Sequence, residues 1–529
     1  MKNNIIIGRY INKMDYETRI AEFYFLLHRG NLESLESILF DLLRTLKYDI
    51  SSLCRDTHHE TKGNQTVVHY LRLLYGLIGH TRDIYCGKGE RDLSYMMIVT
   101  WYKFFPVLAI FALHTFVFSI TSLKNSNYPY GCWNDIKYFS KYILRTYTTH
   151  PLLDIIISYA NRQLKQDIQC ESHTDTSNDL PTSNVAKWIP REPKMKHLYE
   201  KFVCDWFDIE TRPTEKYMSF LKKQYRQIVS QQYSKLDKYS TNKTIFKEIM
   251  KGSLSNKIDR PLLPNIGRNY FHENMFVGDY VKCAIAINKE YNGDFEKISI
   301  DLNAEWLNRK WCWIIATFHK CYGGIPIVDI SRDISDENLY HAIGFACLIA
   351  IKSGIMRILL VSDIPIWINI SESSHLCSIV DSVWTHCENR RSSRFQPTFS
   401  LLLESTIHSK LSVLDNIKLF IFSEKFQFHW QTIIKQFECK MNIIFWNIGG
   451  EPKIPAQDFY AEDHRELILM SGANVALLNA FCNVEILSLN GPFFFISQLI
   501  NCARYKPLYD YFDIFYSNLH RTSVNYSLV

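Results

Sequence analysis

Hydrophobic residues recur every three or four positions from about residue 17 to residue 165, which is the spacing of amphipathic helices. The clearest case is 32–48, where Leu35, Leu39, Leu42 and Leu46 fall on one face. The same spacing predicts helices at 66–77, 92–103, 107–123, 134–144 and 152–163. Short connections between these stretches favour antiparallel helix pairs, and therefore an N-terminal α-helical repeat-like region.

The hydrophobic pattern changes after about Trp306. Short apolar runs at 325–330, 358–370, 417–422 and 441–446 predict strands, and helical stretches at 339–353, 399–409 and 426–438 lie between or beside them. This alternation is typical of a doubly wound, mostly parallel, Rossmann-like sheet. The predicted fold class is therefore multidomain, α and α/β. A helical region at 1–322, with a polar, flexible loop at 169–184, precedes an α/β domain at 323–529.

The run 325–330 has no polar alternation, which predicts a central, buried parallel strand. Asp329 lies at its end, and Ser331 and Asp333 follow at alternate positions in a polar loop. Open α/β sheets bind ligands at the carboxyl ends of their strands. Three oxygen side chains in such a loop can converge on a hard cation such as Mg2+. Alternatively, Asp329 and Ser331 cap the following helix and satisfy the loop backbone.

Positive charge is concentrated at 212–260, which contains twelve Lys and Arg residues but only four Asp and Glu residues. The whole chain carries a net charge of only +6. Aromatic residues are interleaved with the lysines, as in segments that bind single-stranded RNA or DNA. Lys222, Lys223 and Arg226 are the candidate contacts. The alternative is a solvated helix face whose aromatic residues are turned into the core.

A second basic segment contains Arg82, Lys88 and Arg91, which are further candidates for binding phosphates or an acidic partner. Its glycines do not have the G-x-x-x-x-G-K-[ST] spacing of a phosphate-binding loop. The alternative is a structural loop in which Asp83, Glu90 and Arg91 pair internally.

Composition narrows the function classes. The 14 cysteines are scattered without a C-x-x-C pair, which indicates reduced thiols in an intracellular protein. The apolar stretch 104–120 contains Pro106 and His114, and it is better explained as a buried helix than as a membrane span. We therefore expect no membrane partner. Neither G-x-S-x-G nor H-E-x-x-H occurs, so we expect that the protein is not an enzyme and has no small-molecule substrate.

Several short motifs along most of the chain resemble those of one protein family. They are Arg82–Ile84, Gly87–Arg91, Tyr130–Asp135, Ala186–Glu192, Val328–Ser331, Phe422–Glu424, Phe445–Asn447 and Ser471–Gly472. The family, found in plants and giant viruses, pairs a helical, TROVE-like region with a von Willebrand factor A-type (vWA) domain. Its architecture is similar to that of the Ro ribonucleoprotein autoantigen. The resemblance implies a TROVE-like region at 1–322 and a vWA domain at 323–529.

In vWA domains, three loops supply Asp-x-Ser-x-Ser, a threonine and an aspartate to one divalent cation. The resemblance carries these ligand positions over to Asp329, Ser331, Asp333, Thr398 and Glu424. Arg332 stands where glycine is usual, Pro397 occupies the threonine position, and Glu424 replaces the aspartate. These departures imply a degenerate metal-ion-dependent adhesion site, so Mg2+ or another divalent cation is the only candidate cofactor and is not assigned.

The resemblance implies a non-enzymatic binding scaffold. Ro-like proteins bind RNA with the helical region, and 212–260 lies in the matching half of this chain. We therefore expect an RNA, ribonucleoprotein or protein partner, in the cytoplasm or in a viral factory. The alternative is an adhesion-type module in which a partner's carboxylate completes the coordination of a cation at the Asp329 loop.

Overall fold

A computed structural model of the protein describes residues 16–28, 32–53, 62–118, 129–147, 149–172, 183–211, 213–249, 276–318, 321, 323–332, 334–371, 375–388, 390, 395–408, 417–424, 441–449, 467–478 and 492–526. The described chain is mostly helical, and its C-terminal half contains a six-stranded, mostly parallel sheet. The prediction of α and α/β architecture is confirmed at that level. Asp333, the predicted helix at 426–438 and residues 173–182 of the predicted loop lie outside the described residues.

The helices before the sheet are α1 (16–26), α2 (Leu32–Leu53), α3 (Lys62–Arg82), α4 (Asp92–Phe104), α5 (Pro106–Val117), α6 (Asn134–Thr146), α7 (Pro151–Ser172), α8 (Val185–Trp188), α9 (Lys196–Trp206), α10 (Glu215–Ile249), α11 (Val277–Glu290), α12 (Phe295–Ile300) and α13 (Leu302–Thr317). The remaining elements are β1 (Gly324–Asp329), α14 (Asp336–Ser353), β2 (Arg357–Val361), β3 (Ile366–Asn369), α15 (Leu376–Cys387), α16 (Phe395–His408), β4 (Ile417–Ser423), β5 (Met441–Asn447), β6 (Leu467–Ser471), α17 (Pro492–Ile500) and α18 (Lys506–Tyr526).

The chain divides into two compact units, each built from separate stretches of sequence. The sheet unit comprises Met1–Leu77, Ile84–Lys88 and Asp259–Ala503, and the helical unit comprises Ile78–Asp83, Gly89–Ile258 and Arg504–Val529. This division differs from the expected boundary between residues 322 and 323. Helices α11 and α13 precede β1 but pack against α15 of the sheet unit, and α18 follows the sheet but packs against α5 of the helical unit.

Two glycines explain why α11 belongs to the sheet unit. A Cβ atom at Gly278 would lie 2.6 Å from His341 Nδ1, and one at Gly344 would lie 2.8 Å from Val277 Cγ2. The bare backbones therefore allow α11 and α14 to approach closely. The N–H of Gly278 also donates to His341 Nδ1 at 3.2 Å, which fixes the contact between the two helices.

The six strands lie in the order β3-β2-β1-β4-β5-β6, and only the β2–β3 pair is antiparallel. β1 is an interior strand with all six residues buried, as its hydrophobic run predicted. The predicted strand at 358–370 is instead two strands, because the chain turns at 362–365, where Pro365 removes a backbone donor. β6 was not predicted. The strand order runs outward from β1 on one side and from β4 on the other. The carboxyl ends of β1 and β4 therefore form the topological switch point, where open sheets bind ligands.

The helical unit has an aromatic and aliphatic core that includes Tyr95 and Trp101 of α4 and Tyr225 of α10. The apolar stretch 104–120 forms α5 from Pro106 to Val117, and Pro106 takes the first helical turn, where its missing N–H is tolerated. No helix within the described ranges has the length and hydrophobicity to cross a bilayer.

Candidate functional site

Four parallel strands end in a polar residue. Asp329 ends β1, Ser423 ends β4, Asn447 ends β5 and Ser471 ends β6. Ser423 pairs with Asn447 and Asn447 with Ser471 in the strand registers, and Asp329 follows the pair Val328–Phe422. All four are 0% exposed. Neighbouring strands lie about 4.8 Å apart, so these residues, here called the polar row, line the carboxyl edge of the sheet beneath the surface.

Asp329 lies at the switch point and is bonded on both carboxylate oxygens. Its Oδ1 accepts the Ser331 N–H at 3.0 Å, and its Oδ2 accepts the Ser423 hydroxyl at 2.7 Å. The following helix α14 is capped by Ser335, whose hydroxyl accepts the Asn338 N–H at 3.3 Å. Asp329 therefore satisfies the loop backbone, as one of the two sequence interpretations expected, but the helix cap belongs to another residue.

Ser331, in the loop after Asp329, has a buried hydroxyl without a hydrogen-bond partner among the described residues. Its side chain is 2% exposed, and its Oγ forms no hydrogen bond with any described residue. A buried hydroxyl without a partner costs about 1–3 kcal/mol. This Oγ lies two residues from the Asp329 carboxylate, so the start of the loop combines a buried anion with an unused oxygen.

The other predicted ligands have different surroundings. Thr398 is fully buried in the first turn of α16, and Pro397 precedes it in the same helix. Glu424 Oε1 accepts the Asn338 side-chain amide at 2.7 Å and the Ser335 N–H at 3.4 Å, so it supports the N-terminus of α14. Across the described ranges, no three His, Cys, Asp or Glu side chains form a group suited to a metal ion.

Arg332 follows Ser331 in the same loop. Its side chain is exposed, and its Nε donates to the carbonyl of Arg390. Arg390 in turn donates to the Ile334 carbonyl at 2.9 Å and pairs with Asp336. These bonds connect the loop after β1 to Arg390. The bonds described above for Asp329 come from an amide and a hydroxyl.

Lys88 lies at the far end of the polar row and is 0% exposed. Its ammonium donates to the carbonyls of Tyr24 at 2.8 Å and Leu27 at 2.7 Å, and to the Ser471 hydroxyl at 2.6 Å. It also lies 4.0 Å from the centroid of the Tyr24 ring. A phosphate cannot reach Lys88 in this conformation, because the side chain is enclosed by the sheet unit itself.

Arg82 is also fully buried, within the helical unit. Its Nε and Nη2 donate to the two oxygens of Asp135 at 3.0 and 2.8 Å, which is a bidentate ion pair. Tyr95 donates to the same carboxylate, and burial, followed by the charge of Asp135, raises the pKa of Tyr95 well above its usual value. Arg91 lies 3.9 Å from Asp135, and its guanidinium stacks over the exposed ring of Tyr138 at 4.8 Å.

Asp83 forms a second buried pair in the same unit. Its carboxylate accepts from Arg504 Nε at 2.8 Å and Nη2 at 3.0 Å, and the Tyr505 hydroxyl donates to it at 3.3 Å. The described partners of Asp83 therefore come from the C-terminal segment, and not from the neighbouring loop, where the structural alternative expected Asp83 to pair.

The three basic candidates of α10 differ in exposure. Lys222 is 8% exposed and lies 2.7 Å from Glu200 and 3.3 Å from Glu192. Burial lowers the pKa of Lys222, but its hydrogen bonds to the two glutamates outweigh burial and raise the pKa overall. The bond from Lys222 lowers the pKa of Glu200. Arg226 is exposed and pairs with Glu192, and Lys223 is exposed.

No protein-family model matches the chain, and no curated protein matches it in sequence. The resemblance to proteins with a vWA domain stays a prediction. The function has to be inferred from the geometry of the chain's own residues.

Sequence reasoning missed several residues that build these sites. Ser423 had a usable signal, because it is the polar residue that ends an apolar run, as Asp329 does. Asp135 lies in the motif Tyr130–Asp135, but the motif indicated no role for it. Nothing in the sequence around Arg504 indicated that it forms a buried ion pair. Asp135 and Arg504 lie 53 and 421 residues from their partners Arg82 and Asp83, so only the tertiary fold reveals them.

Proposed function

We propose that the protein is a non-catalytic binding protein for single-stranded RNA, and that α10 provides a contact surface. The surface consists of Lys216, Tyr217, Phe220 and Lys223, and is called the basic–aromatic face below. Exposed aromatic rings between lysines are what a single strand needs, because bases stack on the rings and phosphates pair with the ammonium groups.

The carrying observation is the exposure of two parallel rings. Tyr217 and Phe220 are 52% and 54% exposed, and their ring planes differ by 18° with centroids 6.4 Å apart. Lys216 and Lys223 are exposed one helical turn to either side of Phe220. Neither lysine has an ion-pair partner within the described part of the chain.

The opposite side of α10 explains why this face is turned outward. Leu221 and Tyr225 are buried, and the Tyr225 hydroxyl donates to Asn161 Oδ1 at 2.6 Å. Lys222 lies on the buried side with its glutamates, so its replacement would disturb packing. Lys223, Phe220 and Lys216 are the better positions for a binding test, since their side chains are in solvent.

The test is fluorescence anisotropy with labelled ten-nucleotide RNA at several salt concentrations. Each lysine lost should reduce the slope of log affinity against log salt by about 0.7. Lys216→Gln with Lys223→Gln should therefore weaken binding to all sequences and reduce the slope by about 1.4. The matched control is Lys289→Gln with Lys310→Gln, which removes two exposed lysines from the sheet unit. Salt-independent binding, or no binding to any single strand, would overturn the proposal.

A second candidate function is cation-dependent binding of a protein carboxylate at the Asp329 loop. It is favoured by one observation: the buried Ser331 hydroxyl, two residues from Asp329, has no hydrogen-bond partner among the residues that the structure describes. Against it, Glu424 is engaged with Asn338 and Ser335, and Pro397 supplies no hydroxyl. We infer a degenerate site whose carboxylate stabilises the loop, and the melting experiment in the Discussion separates the two.

We infer that the protein acts in a reducing compartment inside the cell. The ten cysteines within the described ranges form no disulfide with one another. Proteins of oxidising compartments usually have their cysteines paired. Such a compartment is where an RNA partner would be met.

A further inference from the structure

Six aromatic side chains of the helical unit form a cluster, and four of them are stacked. Tyr511 and Phe111 are parallel within 2° at a centroid distance of 3.7 Å, and Phe111 and His114 are within 17° at 6.3 Å. His114 and Phe118 follow within 20° at 4.3 Å. These four rings, called the aromatic column below, are each half-buried and therefore retain exposed edges.

Two further rings meet the column edge-on at its Phe118 end. Trp133 lies 5.0 Å from Phe118 at 85°, and Tyr159 lies 5.6 Å from Phe118 at 82°. Both are half-buried. The Phe118 end is therefore a cluster of three aromatic side chains, each of them only half-buried.

The end of α5 explains the column. Phe111 and His114 lie three residues apart on one face of α5, and Phe118 follows directly after the last helical residue, Val117. Leu108, Ala112 and Leu113 fill the core from the other side of the helix. Small and aliphatic side chains would have been sufficient to cover this face. The aromatic rings at these three positions are aligned in a stack.

His114 contributes a ring and not a hydrogen bond. Its Nδ1 is buried and has no partner among the described residues. Burial, and after it the positive charge of Arg162, lowers the pKa of His114, which keeps the ring neutral at neutral pH. A neutral, flat imidazole continues the stack between Phe111 and Phe118.

Arg162 supplies positive charge at the same end. It is exposed on α7, and its charge acts on both His114 and Tyr159. It has no ion-pair partner within the described ranges. An unpaired guanidinium beside exposed rings matches the two parts of a nucleotide, because the guanidinium fork binds phosphate oxygens and the rings bind the base.

We propose that the Phe118 end of the aromatic column is a second RNA contact, where one base stacks against the rings and its phosphate pairs with Arg162. This rests on the proposed function, and it adds a position for base stacking outside α10. Single-stranded RNA is favoured over a peptide because this cluster combines flat, partly exposed rings with the positive charge of Arg162.

The experiment compares a ten-nucleotide adenosine RNA with an abasic strand of the same length and phosphate count. Base stacking is worth about 5- to 150-fold per base, so wild-type protein should bind the RNA more tightly than the abasic strand by at least this factor. Phe118→Ala and Arg162→Gln should each weaken RNA binding, and Phe118→Ala should leave abasic binding unchanged. Binding of AMP and ribose 5-phosphate, measured by calorimetry, tests the site without α10.

Controls separate binding from folding. Arg162→Gln alters a solvent-exposed side chain, so its melting temperature should equal that of wild type, whereas Phe118→Ala is also checked by circular dichroism. The matched variants are Phe295→Ala and Arg309→Gln, which remove an exposed ring and an exposed guanidinium from the sheet unit. They should change neither affinity.

The outcomes distinguish this inference from the proposed function. If RNA binds and depends on Lys216 and Lys223 but not on Phe118 or Arg162, the column is packing and the inference is overturned alone. If AMP binds at the column but no RNA strand does, the base site stands and the proposed function falls. If wild-type protein binds neither, both fall, and binding of a peptide there would replace this proposal.

Discussion

Arg82 in the helical unit and Asp329 in the sheet unit are both charged and fully buried, but their partners differ. Arg82 faces an opposite charge, Asp135, through two hydrogen bonds. The bonds described for Asp329 come from a backbone amide and a hydroxyl. The Arg82 charge is therefore compensated by an opposite charge, whereas the bonds described for the Asp329 charge come from oriented neutral dipoles.

This difference predicts unequal costs. Removing one member of a buried ion pair leaves an uncompensated charge, which costs about 3–5 kcal/mol. Removing a charge whose described partners are neutral leaves buried neutral groups unpaired, which costs about 1–3 kcal/mol where no other group replaces the lost partner. One substitution at each position tests this contrast.

The largest effect is expected for Asp135→Asn. It keeps the shape but leaves the Arg82 charge buried without its counter-ion, so the helical unit should lose about 3–5 kcal/mol. Hydrogen exchange of amides in α4 and α5 measures the loss within that unit. The control is Asp92→Asn, because Asp92 pairs with Arg145 at 3.6 Å on the surface, where loss of the pair costs at most about 1 kcal/mol. Equal effects of the two variants would refute the contrast.

Asp329→Ala should have the second largest effect, at about 2–3 kcal/mol, because the Ser331 amide and Ser423 hydroxyl lose their acceptor. Millimolar Mg2+ should leave the wild-type melting temperature unchanged, since a degenerate site gives no binding energy to the folded state. A Mg2+-dependent rise that disappears in Asp329→Ala would instead establish the cation-dependent second candidate.

Lys88→Met should cost less, about 1–2 kcal/mol, because the methionine fills the same volume and the freed carbonyls are neutral. Lys103→Met, at an exposed position of α4, is the matched control and should be near neutral. Hydrogen exchange in α1 and β6 is the measurement. A loss as large as that of Asp135→Asn would show that the ammonium charge itself is required.

The smallest expected effect is the contribution of His114 to the loss of stability at acidic pH. The folded-state pKa of His114 lies below its ordinary value of 6.5, chiefly because of burial. As the pH falls through 6.5, the unfolded chain takes up a proton that the folded chain does not, so stability falls. His114→Asn should therefore lose less melting temperature than wild type between about pH 7.5 and about pH 5.5. His69, His150 and His375 also have lowered pKa values, so the variant should retain part of the decline.

The interior position of β1 could be predicted because an unbroken apolar run is typical of a parallel strand that is buried on both faces. β6 was missed because five residues of apolar pattern do not distinguish a strand from a buried helical turn. Asp329 and Ser331 could be proposed from local spacing. Ser423 also ends an apolar run, but its position beside Asp329 depends on the register of β4 against β1, which no local pattern encodes.

The basic candidates show the same limit from the other direction. Arg82, Lys88 and Lys223 look alike in sequence, but the first two are buried and only the third is exposed. A lysine beside glycines does not reveal that carbonyls 61 and 64 residues away will surround it. Burial of a charge is decided by long-range packing, and this is why α10 had to be seen before its outward face could be defined.

The composition of each unit from separated stretches has a consequence for the order of folding. Asp83 and Arg504 are 421 residues apart, so their pair cannot form until the ribosome has made nearly all of the described chain. Until then the helical unit lacks α18, and the surface that α18 covers stays open to other molecules. Contacts of such long range slow folding and prolong exposure to aggregation. The protein should therefore depend on chaperones during synthesis more than its individual helices would suggest.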